Sequence, residues 1–357
     1  MNFALSFVLG VALCCTLAFS FDHRRRSKRD GTMISPSHIC KYIPGLIRSQ
    51  QRFCRRRPWL MTSLQKGLRQ ARTECKTRFS GANVRWNCST SNEASVFAPI
   101  LRSSSREAAF AWGISAAGIV VAVAHDCSNG LLGHCGCQQT DDSNAPSLES
   151  EVKQEQLLLE WTDCDDDIKA GIRYSKDFVV ASMKGNSKMN IVQEHNANVG
   201  RRIVRQLIKE NCKCHGTSGS CAIKSCWNTV PPMSAVGLAL EASYRNATRV
   251  EVVQKTDNVY DFVPINSRAQ FSKDDFIYED ESPTYCEADP RAFSLGTAGR
   301  DCNVTETGSG GCSFLCCGRG YKAITDVVND RCNCHFALCC SVACKRCIRM
   351  RERHVCQ

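Results

Sequence analysis

The chain has 357 residues, is 43% hydrophobic and carries 46 Lys/Arg against 35 Asp/Glu, a formal net charge of +11. That length buries a core without help from cross-links. The 26 cysteines therefore exclude an ordinary reducing compartment and point to a secreted, disulfide-bonded protein.

Residues 1–20 are uncharged and apolar from Phe3 to Phe19, and Ala18-Phe19-Ser20 fits a signal-peptidase site that leaves Phe21 as the new N-terminus. The run falls short of the ~20 residues that a spanning helix needs. Its removal takes Cys14 and Cys15 and leaves 24 cysteines, an even number. Positive charge is concentrated next: sixteen Lys/Arg face three acids between Phe21 and Ser80. Within the basic segment 21–38, Arg24-Arg25-Arg26-Ser27-Lys28-Arg29 reads equally as a processing site and as a solvated tail. Arg55, Arg56 and Arg57 lie between Cys54 and Trp59, inside the folded part. For a secreted chain the matching polyanion is heparan sulfate rather than nucleic acid.

From residue 39 the pattern is helical. Leu60, Leu64, Leu68 and Ala71 recur at helical spacing with Lys66, Arg69 and Arg72 on the other face. Ala108–Ala124 follows, seventeen residues without a charge and rich in Gly and Ala. That composition suits close helix packing, and a buried core helix is expected rather than a bilayer span. Cys127–Cys137 is a Gly-rich knot, and 138–151 reads as an exposed loop. Asp163-Cys164-Asp165-Asp166-Asp167 lacks the alternating ligands and glycine of a calcium loop, so a solvated acidic turn or helix start is expected. A further helix places Val199, Ile203, Leu207 and Ile208 on one stripe, with Arg201, Arg202, Arg205 and Lys209 outward.

That helix leads into Cys212-Lys213-Cys214-His215-Gly216-Thr217-Ser218-Gly219-Ser220-Cys221, closed by Cys226 and Trp227. The six residues between Cys214 and Cys221 hold nothing able to form a core. If Cys214 bonds Cys221 and Cys212 bonds Cys226, two nested staples clamp a hairpin with Ser218 at its exposed tip. Other readings stand beside this one. The Cys/His cluster loosely resembles a zinc knuckle. Gly216-Thr217-Ser218-Gly219 half-resembles a nucleophile elbow, with its second glycine one residue early and no His/Asp set placeable beside Ser218. A plain stapled loop, with His215 as a surface residue, is the third.

Residues 234–247 read as a helix, 249–254 as a strand and 257–285 as a polar, acidic linker. Half of the 24 remaining cysteines fall between Cys286 and Cys356, where long apolar runs are few. This is expected to be a small disulfide-built C-terminal domain, 286–357, following a helical N-terminal domain, 39–256. Asn246-Ala247-Thr248 and Asn303-Val304-Thr305 are usable glycosylation sequons, and Asn87-Cys88-Ser89 is a weak one.

The run CKCHGTSGSCAIKSCW at 212–227 resembles the signature of Wnt proteins. RWNCS at 85–89, REAAFAWGISAAG at 106–118, CCGRGY at 316–321 and CNCHFALCCSVAC at 332–344 extend the resemblance over essentially the whole mature chain. The resemblance implies a mixed, disulfide-rich fold of two domains. A helical N-terminal domain carries a lipid-bearing thumb hairpin, 212–226, and a cysteine-rich domain extends a finger hairpin, 332–347. It implies palmitoleate on Ser218, attached by the acyltransferase Porcupine, and no other cofactor, metal or catalytic residue. It implies the pairs Cys40–Cys54, Cys75–Cys88, Cys127–Cys135, Cys137–Cys164, Cys212–Cys226 and Cys214–Cys221. In the C-terminal domain it implies Cys286–Cys317, Cys302–Cys312, Cys316–Cys356, Cys332–Cys347, Cys334–Cys344 and an adjacent-residue bond Cys339–Cys340.

The function so implied is that of a secreted ligand. Its lipid enters a groove on the cysteine-rich domain of a Frizzled receptor while Phe336, Leu338, Cys339, Cys340 and Val342 grip the opposite side. A lipoprotein-receptor-related or other co-receptor, the carrier Wntless and heparan sulfate proteoglycans are further implied partners. The lipid would hold the protein to membranes or matrix in the extracellular space. Two departures from the family pattern stand out. Leu338 occupies a position where many Wnts have tryptophan, beside Ala337 in place of a larger residue, and Ser80–Asn83 lengthens a loop. The alternative function is a glycosaminoglycan-bound matrix protein or antagonist without acylation.

Overall fold

The computed structural model describes residues 40–357 except 42, 44–45, 80–84, 87, 89–102, 138–160, 163, 184–186, 222–223, 257–258, 290–293, 308–309 and 338–340. The leader and the basic segment 21–38 thus lie outside the described residues, as do Asn87 and Leu338–Cys340. Cys40–Gln357 form one compact unit. Its helices are α1 (Arg48–Arg56), α2 (Met61–Phe79), α3 (Arg106–Ser128), α4 (Ile168–Val180), α5 (Lys188–Gln206) and α6 (Met233–Arg245), with one short turn, α7 (Cys312–Leu315).

Helix α3 is the hub. Ser105 caps it by accepting from the Ala108 amide. It is long and apolar enough to cross a membrane, yet it is almost wholly enclosed by protein, packed against α2, α4, α5 and α6. This is the core helix that its Gly/Ala composition suggested. Side chains this small let backbones touch. A Cβ on Gly118 would stand 2.5 Å from the Gly67 carbonyl oxygen of α2, and one on Gly200 of α5 would stand 1.9 Å from the Gly113 carbonyl oxygen. Aromatic rings fill one end of the helix: Phe79 meets Trp86, Phe110 and Tyr244 with centroids 4.8, 4.8 and 5.1 Å away.

A carboxyl group is buried in this core. The Glu107 carboxylate accepts from the Tyr244 hydroxyl at 3.0 Å, the Tyr285 hydroxyl at 3.1 Å and the Ser282 hydroxyl at 2.7 Å. Burial, reinforced by the neighbouring carboxylate, pushes both tyrosine pKa values well up, so the hydroxyls remain donors.

The segment expected as a linker instead belongs to the body. Strands β4 (Thr248–Thr256), β5 (Val259–Pro264) and β6 (Ile277–Tyr278) form a sheet in the order β5-β4-β6. Phe276 and Ile277 are fully buried, and Phe276 lies against Gly113 of α3. Asn196 of α5 secures this by a reciprocal pair of hydrogen bonds with Ile277, 2.9 and 3.0 Å. Arg201, expected outward, is 3% exposed. It donates to Asn198 Oδ1, and desolvation lowers its pKa to about 10. The cause is that α5 is covered by α3 on one side and by α6 and β6 on others, which narrows its solvent stripe. Arg202 does face outward enough to meet Asp274 at 2.6 Å.

The C-terminal part contains β7 (Ala288–Asp289) paired with β8 (Ser294–Leu295), and β9 (Asp301–Cys302) on a long hairpin of β10 (Tyr321–Ala337) and β11 (Ser341–Cys356). Its core is a sulfur cluster, Cys302, Cys312, Cys316 and Cys356 around Leu315. Arg85 joins this region to the helices. Its guanidinium lies 3.9 Å over the Phe314 ring and donates to the Phe314 carbonyl, while Arg300 donates to the Arg85 carbonyl.

Two outcomes are expected. Gly200→Ala should destabilise the fold by ~1–3 kcal/mol, because the added methyl would run into the Gly113 backbone, which cannot swing aside as a side chain can; a melting temperature equal to wild type would contradict it. His195, whose pKa burial holds below the ordinary 6.5, with the Arg202 cation acting in the same direction and the bond to the Asp275 carbonyl only partly offsetting it, takes up a proton more readily when unfolded. Stability should then fall as pH drops below about 6.5, and His195→Gln should flatten that part of the profile in urea titrations.

Candidate functional site: two stapled hairpins

Two ribbons leave the body. The first is β2 (Lys209–Cys214) paired antiparallel with β3 (Lys224–Thr229), with Cys212 directly opposite Cys226. Both nested staples, Cys212–Cys226 and Cys214–Cys221, are formed. Glu210, Cys212 and Cys226 cluster at metal-ligand range, but the two sulfurs are bonded to each other and offer no thiolate. The zinc reading of this stretch falls on that account.

Residues 217–219 make one tight turn at the tip, closed by Gly216 N donating to Ser220 O at 2.7 Å and Gly219 N to Gly216 O at 3.0 Å. Ser218 is exposed and has φ +60°, followed by Gly219 at +78°. A non-glycine residue in the left-handed region costs about 1–3 kcal/mol and persists where its surroundings enforce it. Here the staples and the turn do so, and the serine hydroxyl is held away from the body. His215, three residues away, is exposed and its Nε2 lies 2.8 Å from Ser225 Oγ across the ribbon. Its ring is thereby engaged by a residue of β3.

The root of this hairpin is held by the run expected as a solvated acidic turn or helix start; α4 does start there, with Asp167 as its cap, but the two acids before it are not solvated. Asp165 and Asp166 are buried. Asp165 accepts from the Asn228 amide at 2.6 Å and its side chain at 3.1 Å. Asp166 accepts from the Val230 amide at 2.8 Å and from the Ser128 hydroxyl at the end of α3. Asp167 caps α4, and β1 (Trp161–Thr162) runs parallel to β3. The run is therefore an anchor that ties β3 to the C-terminal end of α3. Charged acceptors on backbone amides are among the stronger hydrogen bonds. The sequence signal, a run of acids ahead of a helix, marked the start of α4 but not the amides that Asp165 and Asp166 would meet.

The second ribbon is β10–β11, in register from Tyr321↔Cys356 to Cys332↔Lys345, with an irregularity before His335↔Ala343 and Phe336↔Val342. Cys332–Cys347 and Cys334–Cys344 staple it. Phe336 is 87% and Val342 55% exposed, side by side at the far end. Leu338, Cys339 and Cys340 lie outside the described residues. Elsewhere the structure contains Cys40–Cys54, Cys75–Cys88, Cys127–Cys135, Cys137–Cys164, Cys286–Cys317, Cys302–Cys312 and Cys316–Cys356.

Of the arginine run, Arg55 and Arg56 are exposed. Arg57 is committed elsewhere: it pairs with Asp177 at 3.2 Å and lies over the Phe53 ring. Asn246 and Asn303 are both exposed. The Asn303 side chain accepts from both the amide and the hydroxyl of Thr305, its own sequon threonine.

A helical body that projects two disulfide-stapled hairpins, one tipped by a strained serine and the other by bare apolar side chains, defines a cross-linked extracellular ligand scaffold. The comparisons narrow this. The sequence model of the Wnt family matches residues 42–357, and the chain belongs to the Wnt family. A chain in the structure of human WLS in complex with WNT8A is 30% identical, with a TM-score of 0.57 over 83% of this chain and 93% of that one. The Drosophila WntD N-terminal domain-linker is 20% identical, with a TM-score of 0.42 over 64% of this chain and 98% of that one. Wnt proteins are secreted signalling ligands and not enzymes, and this chain is a Wnt ligand.

Replacing Cys214 and Cys221 together by alanine should leave the melting of the helical body unchanged, since the pair closes a loop at the tip alone. The Gly216 and Gly219 amides should then exchange hydrogen at least tenfold faster (about 1.4 kcal/mol of lost local stability). Unaltered exchange would show that the turn holds itself without the inner staple.

Proposed function

We infer that this Wnt ligand carries palmitoleate on Ser218 and uses it to bind the cysteine-rich domain of a Frizzled receptor. The observation that carries the reading is the Ser218 hydroxyl, exposed at φ +60° on a doubly stapled tip. A strained, outward residue on a ribbon with no core of its own suits covalent modification and presentation better than packing. Burying an acyl chain of about sixteen carbons gives roughly 12 kcal/mol gross at ~0.8 kcal/mol per methylene. Burying one Phe or Leu at the finger gives ~1.5–3 kcal/mol. The lipid therefore dominates affinity, while Phe336, Val342 and the 338–340 tip tune the choice of receptor.

The same chain implies Porcupine for attachment and Wntless for export, the latter supported by the similarity to a chain from a WLS–WNT8A complex. A co-receptor completes the signalling assembly, and heparan sulfate retains the ligand near cells through exposed cations such as Arg55 and Arg56. The helical body, 40–256, and the cysteine-rich part, 286–357, act as the two carriers of these hairpins, and glycans at Asn246 and Asn303 fit the secretory route.

Mass spectrometry of the 212–226 peptide from secreted protein should show palmitoleate on Ser218. Ser218→Ala should be secreted with the same disulfides and melting behaviour but lose acylation and receptor activation. Full signalling by that variant would defeat the lipid-driven account, and a bare serine in active protein would favour the unacylated matrix alternative.

A further inference from the structure

The shaft of the β10–β11 ribbon has two unlike faces. Alternation along the paired strands puts the rows Val327↔Met350 and Asn329↔Ile348 on one of them. Arg331↔Arg346 follows on the same face toward the tip, and Glu352 precedes them toward the root. All of these residues are exposed, Val327 by 66%, Ile348 by 74% and Met350 by 80%. The opposite face holds the Arg353–Asp326 pair together with Arg349 and Arg351, which suits it to water.

Apolar side chains grouped within a polar rim mark a contact surface, and the rim here is ordered by sign. Both arginines stand at one end, directly opposite each other, an arrangement that destabilises an isolated ribbon. Among the described residues no acid lies within ion-pair distance of either. Glu352 stands at the other end, with His354 at 3.5 Å as its ionic neighbour. From tip to root the face runs positive, apolar, negative, and such an order is complementary to its own reverse.

A twofold axis lying across the strands, between the Val327↔Met350 and Asn329↔Ile348 rows, sets a second ribbon antiparallel on the first. It places Met350 over Ile348 of the second copy and Arg346 over Glu352 of the second copy, and symmetry repeats each contact. An axis along the strands would stack the arginine rows on one another instead. We propose that this face is an isologous contact between two copies of the chain. A bilayer takes the apolar centre but gives no reason to order the charges by sign, and an acidic partner matches one end alone. Two strands offer less than the ~800 Å² per partner of a standard interface, so the dimer is weak and forms where the ligand is concentrated. The contact involves no acyl group, so it stands or falls separately from the Ser218 reading.

The test uses full-length Ser218→Ala protein, in which no lipid drives association. Sedimentation equilibrium should show a reversible monomer–dimer equilibrium in the micromolar range. Arg346→Glu should raise its dissociation constant about tenfold or more, because it turns two attractive contacts into repulsive ones. Adding Glu352→Arg to that variant should restore most of the loss. The two positions stand ~20 Å apart along one strand, so restoration requires a second copy. With the ribbon unaltered, dilute peroxide should oxidise Met350 more slowly in the dimer than in dilute monomer. A monomer at every concentration up to ~100 µM, a dimer indifferent to Arg346→Glu, or no restoration by the double exchange overturns the proposal. So does equal oxidation of Met350 at both concentrations. A monomer that sediments with phosphatidylcholine vesicles through Ile348 and Met350 would assign the face to a bilayer and overturn it as well.

Discussion

Helix α3 is enclosed on every side, and that enclosure sets the geometry of everything attached to it. Glycine against glycine at Gly67–Gly118 and Gly113–Gly200 brings backbones into contact, a separation at which interiors tolerate no extra methyl. Such an interface has one solution, so α2 and α5 have fixed positions relative to α3. The C-terminal end of α3 then presents Ser128 and Cys127, from which the acidic run 165–167 reaches β3. The orientation of the first hairpin is in this sense inherited from the packing of a single helix.

The two hairpins solve a shared physical problem by different means. A two-stranded ribbon is marginal in water because neither face buries much apolar surface. Both use disulfides in place of a core. At its root the first ribbon adds buried carboxylates that accept from its backbone, whereas the second merges into a knot of sulfurs around Leu315. Arg85, stacked on Phe314, links the two supporting regions. Rigid ribbons lose little entropy on binding, which is what a ligand with few apolar contacts at each tip needs.

The first tip is built for presentation. Ser218 is held outward on a narrow tip, and the one histidine nearby is bound across the ribbon to Ser225. In the proposed function the hydroxyl serves as a point of attachment, and specificity is left to whatever surface meets the two tips.

The amino-acid sequence by itself determined the elements whose signal is local. The apolar Gly/Ala run made α3 a core helix, the periodic leucines made α2, and the cysteine-rich motifs carried the family and with it the eleven bridges found among the described residues. The tertiary structure alone decided the partners of isolated polar and aromatic residues. Phe276 lies in a stretch that reads as a polar, acidic linker, and only the packing shows that it fills the room left by Gly113. Asp165 and Asp166 looked solvated until β3 supplied amides, and Arg201 and Arg57 counted as surface cations until neighbouring helices covered or paired them. Periodicity reports which face of an element is apolar, whereas these roles depend on what a distant part of the chain places against that face.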